Sequence, residues 1–387
     1  MDICKKNTMF IRLLKTRLFW VYIIPIFLQG CFFVKALVYQ TAGIYDYKIF
    51  HNNIIKASEN PSILKKSAFY NKKELTNIYL DEFLKYKTTA FLVVKNDSIL
   101  YEKYWGDGGP DVISNSFSVS KSITSLLVGL AIQEGKIKSV DQYACEYLPE
   151  FYSVCKKHIR IKDLLTMSSG LNWDERYFNP FSKTTRAYYG SNLYRQMMNL
   201  KVKNTPGYTF QYISCNTQIL GLILKEATGK SLSEYAQEKL WKPIGAEKDA
   251  LWMLDSKNGD EKAYCCFNAT AKDFARIGLL MLHEGKWNDK QIIDKEYIRQ
   301  SITPAKNLTD NEGNNVDFYG YQWWLLKYKE MNITLAWGLY GQFIIIIPEK
   351  QMVVVRLGHK SPKKTIGRYT ADVYMYIDAA LTIANED

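Results

Sequence analysis

The chain has 387 residues, 47% of them apolar and 23% charged, so it can bury one large core or two packed sub-domains and is not a disordered polymer. Lysine and arginine number 51 against 39 aspartates and glutamates, but the basic residues are scattered and no nucleic-acid motif accompanies them, which points to a solvated basic surface with no nucleic-acid partner. Four histidines and seven cysteines without zinc-ligand spacing argue against a structural metal, and no cofactor is called for.

Residues 1–36 read as a targeting segment. Lys5, Lys6, Arg12, Lys15 and Arg17 precede an uncharged apolar run from Leu18 to Val34, at the short end for a membrane-spanning helix. The flanking charge favours a cytoplasmic N-terminus with the remainder outside. The order of preference is an uncleaved membrane anchor, then a lipoprotein lipidated at Cys31 of Leu28-Gln29-Gly30-Cys31, then a secreted form. Each places the bulk of the chain outside the cytoplasm, in a periplasm or at the cell surface. There Cys145 and Cys155 could join in a disulfide, whereas adjacency strains a bridge between Cys265 and Cys266.

Residues 37–87 read as a polar, Lys/Asn-rich stalk with a helix from about Lys73 to Lys85, and the main domain spans 88–387. Strands are predicted at Thr88 to Lys95 and Ser98 to Trp105, joined at the turn Asn96-Asp97. Gly106 to Pro110 is a turn rather than a phosphate cradle, because no helix opening with Gly-Lys-Ser/Thr follows. An apolar helix runs from Ser118 to Glu134, ended by Gly135. A mostly helical sub-domain occupies about 140–265. Within it Thr228-Gly229-Lys230-Ser231 imitates the end of a P-loop, but Leu224 stands where the earlier glycine belongs. Phe343 to Ile347 and Met352 to Leu357 are strands meeting at Pro348-Glu349-Lys350, and a last helix covers Ile366 to Ile383. With strands at both ends and helices between, the expected class is α/β, an α+β sandwich. Its antiparallel sheet is built from both chain ends, covered by helices, and carries an inserted helical sub-domain.

Three elements carry chemistry. In Ser118-Val119-Ser120-Lys121 a serine and a lysine three apart share one face at a helix start. The free N–H groups and partial positive charge there favour an oxyanion and lower the pKa of a nearby ammonium. A desolvated lysine can then take the serine proton. The S-x-x-K pattern also occurs at Ser62, Ser153 and Ser361, but only Ser118 follows a hairpin and opens a long apolar helix. The second element is Phe210 to Asn216, where Tyr212 is a candidate proton relay if a nearby ammonium lowers its pKa, and Cys215 is a buried thiol without a histidine nearby in sequence. The third is Ala336 to Gln342, where glycines next to a strand let substrate approach the backbone and an N–H could pair with that of Ser118 as an oxyanion hole. No histidine set suggests a Ser-His-Asp triad.

In this order the three elements resemble the serine β-lactamase and penicillin-binding-protein clan, with the closer likeness to class C β-lactamase-like hydrolases, including 6-aminohexanoate-dimer (nylon-oligomer) hydrolases and related esterases. Ser116 to Leu127, Ile161 to Trp173, Pro206 to Leu222, Asn268 to Trp287, Tyr319 to Trp324 and Gly338 to Pro348 carry the likeness. It implies Ser118 as acylated nucleophile, Lys121 as its base, and Tyr212 as the other half of the proton-transfer pair. Ser214 falls at the third position of the Tyr-x-Ser element, and the Leu339 N–H completes the oxyanion hole with that of Ser118. Trp324, Gly338 and Gln342 join Ser214 as candidate substrate contacts. The clan often has Lys-Thr-Gly or His-x-Gly where this chain has Ala336-Trp337-Gly338, so efficient action on β-lactams or carboxylate-ended peptides is not expected. The expected function is hydrolysis of a small-molecule or peptide-like ester or amide through an acyl-enzyme. The alternative is a non-catalytic or slowly acylating binder or sensor on the penicillin-binding fold.

Overall fold

The computed structural model describes residues 32–39 and 41–384. The expected anchor, residues 1–36, therefore lies outside the described residues apart from its last five, 32–36, which open a helix Phe32–Tyr39. Among the described residues no helix is long and apolar enough to cross a membrane.

A seven-stranded sheet organises the domain. Its spatial order is Trp324–Tyr328, Met331–Gly338, Gln342–Ile347, Met352–Gly358, Thr88–Lys95, Ser98–Tyr104 and Lys65–Lys66. Every neighbouring pair is antiparallel except the last. The two chain ends meet where Met352–Gly358 pairs with Thr88–Lys95, Val354 opposite Val93. Asn96 and Asp97 close the expected hairpin with φ of +48° and +59°, the left-handed pair that matches strand twist.

Side chains alternate across this sheet and both faces are covered. Phe343, Ile345 and Ile347 pack with Val373, Tyr376 and Ile377 of the C-terminal helix Ala371–Ala384. Ile344 and Ile346 turn the other way, into the core that holds Phe274 and Ile277 of helix Ala271–Leu282. That double burial is why the strand reads as an unbroken apolar run instead of alternating. Helix Ala271–Leu282 lies so close to the sheet that a Cβ on Gly278 would stand 2.4 Å from Val353 Cγ1.

Several details depart from expectation. A second, four-stranded sheet joins Asn52–Ile55, Ala250–Met253, Phe267–Ala269 and Ser114–Asn115, strands too short to show a period. The C-terminal helix starts at Ala371, because Thr365–Ile366 and Tyr369–Thr370 form a hairpin about Gly367 at φ +59°. Cys265 and Cys266 are bridged despite their adjacency, in a turn where Cys266 takes φ +75°, while Cys145 and Cys155 are thiols in hydrogen-bond contact. The P-loop imitation is a helix end and a helix start: Gly229 caps Ser214–Thr228 at φ +68°, and Ser231 caps Leu232–Ala236 by accepting from the Glu234 N–H.

One buried side chain ties the helical part together. Gln322 donates from Nε2 to the carbonyls of Leu164 and Leu165, at 3.0 and 2.9 Å. Its Oε1 accepts from the Thr217 hydroxyl at 2.6 Å, and its backbone carbonyl accepts from the Ser122 hydroxyl at 2.7 Å. Helices Ile161–Leu165, Ser214–Thr228 and Val119–Gln133 thus converge on one residue. Gln322→Leu removes one donor from each carbonyl, which keep the Met167 and Gln322 backbone N–H groups, and takes the partner from the Thr217 hydroxyl, so we expect a loss of about 1–3 kcal/mol of stability. A thermal melt should show a clear drop in midpoint; an unchanged midpoint would mean these bonds are replaced without cost.

Candidate active site

Ser118 caps the N-terminus of Val119–Gln133, a helix in which every residue from Val119 to Ala131 is buried. The turn that delivers it is constrained. Phe117, just before it, takes φ +46°, rare for a bulky residue and costing of order 1–3 kcal/mol. Surrounding contacts hold it there. The Phe117 N–H donates to Asn115 Oδ1 at 2.9 Å, the Ser116 N–H to the Phe267 carbonyl at 3.0 Å, and the Phe117 ring meets the Tyr340 ring edge-on.

Lys121 lies one helical turn on, with 1% of its surface exposed. Its Nζ donates to Ser118 Oγ at 2.9 Å and to the Tyr264 carbonyl at 2.9 Å. Burial pulls its pKa from the ordinary lysine range down to about 8, against the opposing pull of the Glu175 carboxylate. The Tyr212 hydroxyl hydrogen-bonds the Ser118 side chain, and the Lys121 Nζ sits 5.2 Å from its ring centroid. Burial raises the Tyr212 pKa in spite of that hydrogen bond, opposite to the lowering expected from a nearby ammonium. Serine, lysine and tyrosine do converge, and of the two partners it is the lysine that reaches a neutral base form near physiological pH.

The third side of the site is the turn between Met331–Gly338 and Gln342–Ile347. Residues 336–338 run past the last pairing of Trp324–Tyr328, at Leu335. Gly338 is required by its own chain rather than by a ligand, since a Cβ there would stand 2.1 Å from the Ser116 carbonyl. Tyr340 and Gly341 follow at φ +63° and +76°. The turn is fastened from below. Gln342 is fully buried, donating to the carbonyls of Leu339 at 3.0 Å and Gly358 at 2.7 Å and accepting from the Gly358 N–H at 3.0 Å. The buried Arg356 guanidinium donates to the Gly341 carbonyl at 2.9 Å and the Tyr86 carbonyl at 2.8 Å. Among the described residues the N–H groups of Ser118 and Leu339 donate to no loop or turn carbonyl, and both residues line one cavity.

Of the other candidates, Ser214 reaches that cavity and Trp324 does not. Trp324 packs on the Tyr212 ring at 5.3 Å and on Trp337 at 5.2 Å, so its contact is with the tyrosine. Gln342, with its amide spent on backbone, supports the turn. Cys215 is buried and its thiol pKa is raised by that burial. Glu175 went unnoticed in the sequence. Its carboxylate accepts from the Ser214 N–H at 2.7 Å, from the Ser214 hydroxyl and from the Tyr177 hydroxyl at 2.7 Å, at the start of helix Ser214–Thr228 where a negative charge is favoured. The available signal was weak, one acid among many in an irregular segment. Among the described residues no cluster of metal-ligating side chains occurs.

Comparison with known proteins identifies the family and the fold. The beta-lactamase family model matches residues 79–376. The chain is 28% identical over 286 residues to the 6-aminohexanoate-dimer hydrolase of Paenarthrobacter ureafaciens, covering 70% of this chain and 72% of that one. It is 26% identical to an Escherichia coli K12 protein described as a "putative D-alanyl-D-alanine carboxypeptidase", covering 77% and 84%. A solved Bacillus anthracis structure described as a "putative 6-aminohexanoate-dimer hydrolase" superposes with a TM-score of 0.76 at 23% identity, over 88% of this chain and 92% of that one. The penicillin-binding protein of Bacillus halodurans gives 0.59 at 16% identity, over 79% and 99%. These two structures share the fold.

The contact at Gly338 is directly testable. Gly338→Ala forces the strand end away from the Ser116 carbonyl, so we expect a loss of about 1–3 kcal/mol and disturbance of the Ser118 turn. Thermal melting measures the first effect and a crystal structure of the variant the second; unchanged stability and an unmoved Ser116 would refute it.

Proposed function

The chain belongs to the beta-lactamase family, and on that premise we propose that it is a serine hydrolase cleaving an ester or amide through an acyl-enzyme on Ser118. The observation that carries this is the buried Lys121 amine at 2.9 Å from Ser118 Oγ, with its pKa drawn down to about 8. In its neutral form this amine accepts the serine proton as Oγ attacks the substrate carbonyl. The developing oxyanion takes hydrogen bonds from the N–H groups of Ser118 and Leu339. The proton then passes from Lys121, with the Tyr212 hydroxyl as neighbour, to the leaving group, whose bond to the carbonyl carbon breaks. Water attacks the acyl-enzyme by the reverse route and restores Ser118. Glu175, which braces Ser214 and Tyr177, also sets how far the lysine pKa falls. The similar proteins named as hydrolase and carboxypeptidase support an amide- or ester-cleaving activity. Among the described residues no charged side chain lines the cavity at Ser118, which speaks against substrates that rely on a carboxylate anchor, β-lactams included.

Kinetics with a p-nitrophenyl ester test the catalytic unit. Ser118→Ala should abolish turnover. Lys121→Ala and Tyr212→Phe should each cost several orders of magnitude in kcat, and the double variant should be little worse than the poorer single one, because residues acting as a unit are not additive. If Tyr212 is only a packing residue, Tyr212→Phe will change the melting temperature and leave kcat near wild type.

The pH dependence follows from the same lysine. The base must be neutral, and below its pKa the neutral fraction falls about tenfold per pH unit. We therefore expect kcat/KM to rise with pH and level off above about 8. A profile flat from about pH 6 to 9 would exclude Lys121 as the base.

A further inference from the structure

The cavity at Ser118 has a volume of about 330 Å³, within the range that holds a small organic ligand. Among the described residues none that lines it carries a formal charge. Most of its hydroxyls are already engaged inside the protein. Thr184 donates to the Asp174 carbonyl and Tyr188 to the Asp46 carboxylate, while Tyr177 and Ser214 are bound to Glu175. The Tyr189 and Tyr264 hydroxyls are buried without a hydrogen-bond partner among the described residues. Away from Ser118, the oxyanion-hole N–H groups and these two neutral hydroxyls, the walls present hydrocarbon and ring faces. An ionised substrate group would lose its water there without finding a counter-charge.

Part of the wall comes from outside the main domain. Helix Phe32–Tyr39 contributes Ala36, which is buried, and Leu37, which is 54% exposed. The helix is seated on Lys183–Tyr189: the Tyr39 ring stacks on the Tyr189 ring at 6.4 Å, and the Arg186 guanidinium lies 5.8 Å from the Phe32 ring centroid. Phe178, 65% exposed, supplies another apolar edge from a separate segment. Two large apolar side chains held in water at the edge of an apolar cavity are a cost to the free protein that an apolar ligand removes.

We infer that this cavity binds the hydrocarbon chain of an uncharged acyl ester, with helix Phe32–Tyr39 as part of its wall, so that medium-chain acyl groups are preferred to acetyl. The inference rests on the hydrolase reading of Ser118 and adds the substrate class to it. Every methylene taken from water into such walls raises affinity about fourfold. Several of them give a large selectivity, while the reacting carbonyl keeps its place at Ser118 and the two N–H groups.

Binding to the Ser118→Ala variant separates this inference from the hydrolase reading, because it needs no turnover. By isothermal titration, that variant should bind ethyl octanoate at least about tenfold more tightly than ethyl butyrate. Ala36→Trp in the same background fills the inner wall and should bring the ratio near one. Leu37→Ser, at a residue exposed enough not to threaten folding, should lower it about threefold or more. In the wild-type enzyme, kcat/KM for p-nitrophenyl octanoate should exceed that for the acetate by about tenfold or more. Equal affinity for the two ethyl esters, or a ratio that survives both substitutions, would overturn the inference. Turnover that persists in Ser118→Ala would instead overturn the hydrolase reading.

Discussion

The structure turns on one amino group taken out of water. Lys121 Nζ has the Ser118 hydroxyl and the Tyr264 carbonyl as its hydrogen-bond partners and almost no exposed surface, so its charged form is penalised. Keeping it there requires a rigid frame, and residues 263–267 supply it. The Thr124 hydroxyl donates to the Ala263 carbonyl at 3.0 Å and the Phe267 N–H donates to Ser120 Oγ at 2.9 Å, while the Phe267 carbonyl receives the Ser116 N–H. This segment brackets the helix start on both sides and so fixes the Tyr264 carbonyl over the lysine.

Two opposing effects then set the lysine's pKa. Burial lowers it, and the Glu175 carboxylate raises it. A value of about 8 follows from that balance, low enough for an appreciable neutral fraction near neutrality. The same carboxylate is held by the Ser214 N–H and hydroxyl and by the Tyr177 hydroxyl, so one charge both organises this side of the cavity and moderates the lysine pKa. Tyr212, whose pKa burial raises, remains a neutral hydroxyl beside the serine.

Much of this was legible in the chain. The Asn96-Asp97 hairpin, the paired strands around Pro348 and the S-x-x-K element at a helix start each carry a local signal, and the sheet from both chain ends follows from them. What escaped is what locality cannot show. Glu175 lies in an irregular segment and gains its meaning only from Ser214, 39 positions away. Gln342 and Gly338 look like substrate contacts beside a strand, but the first is spent on the Leu339 turn and the second makes room for Ser116. Burial likewise reverses the expected direction for Tyr212, because desolvation outweighs its hydrogen bond to Ser118. Helix Phe32–Tyr39 falls at the seam between an expected anchor and an expected stalk, and its place in the cavity wall depends on packing against Lys183–Tyr189.

The central claim is that Ser118 is the nucleophile. Exposure of the purified protein to a fluorophosphonate, followed by peptide mass spectrometry, tests it most directly. A single covalent adduct on Ser118, absent when Lys121 is replaced by alanine, is the predicted result. An adduct on Ser62, Ser153, Ser214 or Ser361 with Ser118 unmodified, or no adduct on any serine, would contradict it.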